Sequence, residues 1–146
     1  MNNNIPIIKT ALNYTQGNQT NIYGNLTIPI TPGDSEVILV EWGHFVPAGT
    51  DFIEVQTTVG WEGAELFDAL EFRLYQNGAL VAMTRDQADD IGTDNPITTS
   101  FDAILTSLTN QHNVYQLAVV VFRNGTVQDI IIKGPLNVST VSYGTP

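Results

Sequence analysis

Cysteine is absent from the 146 residues, which excludes a disulfide scaffold, a thiolate metal site and cysteine-based catalysis. Basic side chains are scarce: 5 Lys and Arg stand against 15 Asp and Glu, for a formal charge of -10. A field of that sign repels phosphate backbones and anionic lipid, so neither nucleic acid nor a membrane surface is an expected partner. No apolar run approaches the roughly 20 residues that cross a bilayer. The start, Met1-Asn2-Asn3-Asn4-Ile5-Pro6, has neither the basic nor the apolar stretch of a secretory signal. Charged residues reach only 14% and hydrophobic ones 42%, against about 25% charged in soluble domains. The chain therefore reads as one folded, weakly charged, Asn/Thr-rich domain.

What is present is period-two hydrophobicity cut by turn residues, the pattern of an all-β sandwich or barrel. Expected strands are 21–30, 36–45, 51–61, 69–76, 80–85, 100–106, 114–123, 127–133 and 136–143. Asn77-Gly78 and Asn124-Gly125 sit between alternating segments and predict type I′ hairpin turns, which need positive φ at both central residues. Short helical turns are expected at most, at 64–70 and 86–88. Leu117–Phe122 and Ile130–Ile132 are nearly continuous Val, Ile and Phe, so both faces of those strands are expected to be covered, one by the sandwich and one by a neighbouring subunit. The first twenty residues differ. A polar lead, the patch Ile5-Pro6-Ile7-Ile8 and a polar stretch to Asn21 read either as a first strand or tail of the domain, or as a detachable strand for β-augmentation. The expected division is an arm and linker over 1–20 and a head over 21–146.

Chemistry is sparsely signalled. His44 and His112 have no ligand spacing between them and read as structural histidines. No nucleophile elbow or phosphate loop occurs, and no enzyme and no cofactor is expected. Asp86, Asp89, Asp90 and Asp94, near Gly92 and Asn95, form an oxygen-rich stretch that is a weak calcium candidate, with a solvated acidic loop as the plainer reading. Glu41, Glu54, Glu62 and Glu65 lie near Trp42 or Trp61 in sequence, an arrangement that sugar sites use. The tryptophans read first as core or subunit-contact anchors. Five Asn-x-Ser/Thr matches, such as Asn25-Leu26-Thr27, are assigned no role.

The order of segments carries a resemblance. Val37-Ile38-Leu39-Val40 comes early, the aromatic-rich Phe67–Tyr75 stretch in the middle, then Tyr115-Gln116-Leu117-Ala118-Val119-Val120-Val121 and the closing Asn137-Val138-Ser139-Thr140-Val141-Ser142-Tyr143-Gly144. Over about 21–144 this resembles the tumour-necrosis-factor-like jelly roll, which includes the globular complement heads and the C-terminal domains of spore collagen-like proteins. The resemblance implies a ten-stranded sandwich that trimerises through aromatic and aliphatic residues of one sheet, with Tyr115, Leu117, Val119 and Val121 as trimer-interface candidates. A Gly-X-Y stalk is missing. The Ile5-Pro6-Ile7-Ile8 arm is similar to the N-terminal connectors of bacterial endospore appendage subunits, whose trimers stack head to tail; without cysteine, such stacking is non-covalent. The expected function is then a structural fibre subunit on a bacterial spore or cell surface. Its expected partners are other copies of the chain and an anchoring or tip protein. The alternative is a trimeric recognition head, lectin-like or at a phage-fibre tip, binding glycan or a protein receptor. The C-terminal stretch 142–146 is expected at an exposed end or in a groove that accepts the next arm.

Overall fold

A computed structural model describes residues 9–33, 35–63, 68–88, 97–106, 109–123 and 128–145. Among them are nine strands and no helix: β1 (Thr10–Gln16), β2 (Ile28–Ile30), β3 (Val37–Val46), β4 (Thr50–Glu62), β5 (Ala69–Gln76), β6 (Ala79–Gln87), β7 (Ile97–Leu105), β8 (Gln111–Arg123) and β9 (Ile130–Gly144). Every pairing is antiparallel. A five-stranded sheet runs β1-β9-β4-β7, with β2 also on β9, and a four-stranded sheet runs β3-β8-β5-β6. Set aside the three-residue β2, and the first, eighth, third and sixth strands share one sheet while the second, seventh, fourth and fifth share the other. That interleaving is the jelly-roll winding.

Alternation drives the packing. Along β9 every second residue from Ile130 to Gly144 is buried, as a strand with one face on the core requires. Trp61, Tyr115 and Phe72 are the largest fully buried side chains. Trp42 and Tyr115 stack at 5.6 Å, and the indole N–H groups find buried acceptors: Trp42 donates to Thr140 Oγ1 at 2.8 Å and Trp61 to Thr99 Oγ1 at 2.8 Å. Both tryptophans are thus core anchors.

Several expectations change. The predicted strands 127–133 and 136–143 are one strand, because Gly134-Pro135, which reads as a break, sits where β9 and β4 come unusually close. A Cβ on Gly60 would collide with the Gly134 carbonyl oxygen, so glycine is required there. Of the expected arm and linker over 1–20, Thr10–Gln16 form β1 on the edge of the chain's own sheet. Only Ile28–Ile30 of the stretch 21–30 is strand. Ser142, expected at an exposed end, is fully buried within β9. Asp86 and Gln87 end β6, and Ala69 and Leu70 begin β5, so those parts of the expected helical turns are extended. The Asn77-Gly78 turn forms as expected, with φ of 50° and 84°. The Asn124-Gly125 turn and residues 64–67 lie outside the described residues, and nine strands stand among those described where the resemblance implies ten.

Candidate functional site

The proposed trimer-interface residues lie on the inner face of β8. Tyr115, Leu117 and Val119 are fully buried in the core, and Val121 packs against it. Their two-residue spacing puts them on one face, and that face is turned toward the opposing sheet. It is occupied by the chain itself, and contacts between copies need the outer faces.

The outer face of the four-stranded sheet carries a ladder of charges, beside which Ile38, Phe45, Met83 and Phe122 remain about half exposed. Glu71 is almost fully buried between two arginines: Arg73 Nε donates to its carboxylate at 2.6 Å and Arg85 Nε at 2.7 Å. Arg73 also reaches Glu36 at 2.8 Å, where the Tyr75 hydroxyl donates at 2.7 Å. Burial alone would raise the Glu71 carboxyl, but the arginine hydrogen bonds outweigh it and hold it below the ordinary carboxylate range. Hydrogen bonds to Glu36 and Glu71 raise the Arg73 guanidinium in turn. Arg85 lies 3.8 Å over the Phe122 ring, a cation–π contact. Ala118, on this outer face between Ile38 and Arg73 in register, is fully buried. The second covered face of β8, expected against a neighbouring subunit, is therefore at least partly covered by the chain's own long side chains.

The outer face of the five-stranded sheet is built differently, in rows set by the register. At the end where Thr10, Gly144 and Thr50 meet, Phe52 stacks on Tyr143 at 5.1 Å. The next row is Tyr14, Val141, Glu54 and Ile104, with Tyr14 58% and Ile104 62% exposed. Then come Gln16, Ser139, Gln56 and Asp102, and after them Asn137, Thr58 and Ser100. The face grades from aromatic and aliphatic to amide and hydroxyl. A groove of about 190 Å³ opens on its polar part, walled by Tyr14, Gln16, Asn18, Gln56, Thr58 and Asn137.

Inside the sandwich, His44 ties three strands together. Its Nδ1 lies 2.8 Å from Thr15 Oγ1 on β1 and its Nε2 2.6 Å from Ser142 Oγ on β9. Burial, then the nearby His112, lowers its pKa. Asn13 on β1 also donates to the Phe45 carbonyl of β3 at 2.5 Å. Both contacts explain why β1 escaped hydrophobic alternation: its inward positions carry Asn and Thr, which meet polar partners.

The remaining candidates do not converge. Glu41, on the four-stranded sheet, accepts from Gln116 at 2.7 Å. Glu54 and Glu62 lie on β4 of the other sheet, and Glu65 is outside the described residues. Asp86 accepts from Thr99 Oγ1 at 2.6 Å and from the Gln87 amide at 2.9 Å, while Asp89, Asp90 and Asp94 lie outside the described residues. Among the described residues no group of three or more His, Asp and Glu could hold a metal ion. Ile5, Pro6, Ile7 and Ile8 also lie outside them.

No family model and no curated protein matches the chain. Among solved structures, the VP2 subviral particle of infectious bursal disease virus is similar over 92% of this chain, with a TM-score of 0.59 and 12% identity. Dimeric latent PorU from Porphyromonas gingivalis is similar over 95%, with a TM-score of 0.54 and 9% identity. The chain spans only 34% of the VP2 chain and 13% of the PorU chain. The Eiger TNF from S. frugiperda shows a weaker likeness, with a TM-score of 0.42 and 14% identity over 81% of this chain and 93% of that one. At such identities the likeness to the VP2 and PorU structures is one of fold. Together with the strand order, it identifies an all-β jelly-roll sandwich.

Proposed function

We propose that the chain is a structural subunit that associates with itself: a jelly-roll head forming homotrimers, stacked into a non-covalent fibre through its N-terminal segment. The observation that carries this reading is the end of the five-stranded sheet, where exposed Tyr14 and Ile104 share neighbouring rows with partly buried Phe52, Tyr143 and Val141, and with Glu54. Large aromatic and aliphatic side chains left open in one patch are what a contact between copies buries.

The root of the segment supports stacking. Lys9 bonds Asp51 at 2.5 Å and Thr10 pairs with Gly144, so the chain enters β1 at the apolar end. An extended Ile5-Pro6-Ile7-Ile8 stretch suits one-sided strand pairing, since proline is tolerated on edge strands. Three such segments acting together multiply a weak contact, and a head-to-tail contact that does not close yields a filament. A spore or cell surface is the setting proposed, with an anchoring or tip protein as the further partner.

Deletion of residues 1–8 tests the linkage, because it leaves β1 and its Lys9–Asp51 tie in place. Negative-stain microscopy of the deleted protein is expected to show discrete particles where the full chain forms fibres. Long fibres from the deleted protein would remove the segment from the account.

A further inference from the structure

We infer that the groove on the polar end of the five-stranded sheet binds a neutral carbohydrate, a role beyond assembly and independent of it. Gln16, Ser139 and Gln56 stand side by side on β1, β9 and β4, and Asn137 stands beside Thr58 one row on. These side chains offer amide N–H and C=O groups and hydroxyls from three rigid strands, the donor and acceptor mixture that vicinal sugar hydroxyls match. Part of that capacity is spent within the chain, since Gln56 Nε2 donates to Glu54 at 2.8 Å and Thr58 Oγ1 lies 3.2 Å from Ser100 Oγ, and part is open. The Gln16 amide and the Tyr14 hydroxyl make no side-chain hydrogen bond among the described residues, and Ser139 reaches Gln56 only at 3.5 Å. Tyr14, more than half exposed, walls one end and offers an aromatic face to the C–H side of a pyranose ring.

The lining decides the ligand class. No Lys or Arg lines the groove, while Glu54 and Asp102 flank it in register with Val141 and Gln56. A phosphate, sulfate or uronate would find no countercharge and two repelling carboxylates. A peptide strand has no place to add, because β9 and β4, which form the floor, are paired on both edges. At about 190 Å³ the groove is smaller than the roughly 300–1,000 Å³ of drug-sized sites, so it holds a short stretch of a chain whose other units remain in solvent.

Saturation-transfer NMR and titration calorimetry of the full-length chain with xylotetraose, cellotetraose and chitotetraose test the proposal. At least one of the three is expected to bind, with saturation reaching its ring protons. The double variant Gln16→Ala/Gln56→Ala is expected to bind that sugar about tenfold more weakly, with the circular dichroism and melting midpoint of the parent. Thr58→Val, which keeps side-chain shape, is expected to weaken binding by about threefold. Ile104→Asp, on the apolar end, is expected to leave sugar binding intact while it disturbs assembly, which separates a failure of this proposal from a failure of the fibre reading. Absence of binding by all three sugars, or unchanged affinity in the double variant, would overturn it.

Discussion

On the four-stranded sheet a charge ladder lies beside half-exposed Ile38, Phe45, Met83 and Phe122; on the five-stranded sheet the outward side chains grade from aromatic and aliphatic to amide and hydroxyl. Glu71, Arg73, Glu36, Arg85 and Phe122 link the middle of the first face with ion pairs and a cation–π contact. The second offers stacked aromatics at one end and amides at the other. The charge ladder ties the strands of the first face to one another, and the second has no such ladder among the described residues. An intramolecular ladder leaves little energy to gain from a partner, whereas open aromatics gain by burial.

The largest effect on stability is expected from breaking the charge ladder of the four-stranded sheet. Glu71→Ala strips both arginines of a nearly buried partner and should cost about 2 kcal/mol, read as a shift of the urea midpoint at unchanged slope. Loss below about 0.5 kcal/mol would mean that the ladder is surface decoration. Arg85→Ala, which removes a more exposed partner, should cost about 1 kcal/mol.

The open face predicts the converse. Ile104→Asp should change monomer stability by no more than about 0.5 kcal/mol, yet shift the assembly toward single subunits in sedimentation. Stability and association would then separate by face, and a variant that loses both together would contradict the division.

A pH-dependent effect concerns the interior between the faces. The pKa of His44 is lowered by burial, so the unfolded chain takes up its proton first as the pH falls. Stability should be flat above about pH 6.5, the ordinary histidine value, and decline below it by at most about 1.4 kcal/mol per pH unit. Glu71, Glu36 and Asp51, also lowered, add their losses only below the ordinary carboxylate range. His44→Asn should flatten the upper part of that profile, and an unaltered slope in the variant would show that another group titrates there.

Much of this fold was legible because inward positions are apolar. The alternation of β3 to β8 and the Asn77-Gly78 turn could be read directly. Where inward positions are polar the signal fails: β1 buries Asn13 and Thr15 against Phe45 and His44, so its sequence resembles a linker. Gly134-Pro135 misled for a related reason, since only the opposed Gly60 makes their close approach a continuing strand. Parity along β8 placed Tyr115, Leu117 and Val119 on one face, but period two cannot say which face looks inward. The groove was out of reach, because Gln16, Gln56 and Asn137 meet only through strand order.

Electron microscopy of the purified full-length chain bears most directly on self-association. The account predicts filaments of stacked, three-lobed particles, lost when residues 1–8 are removed. A uniform field of single subunits at high protein concentration would contradict it.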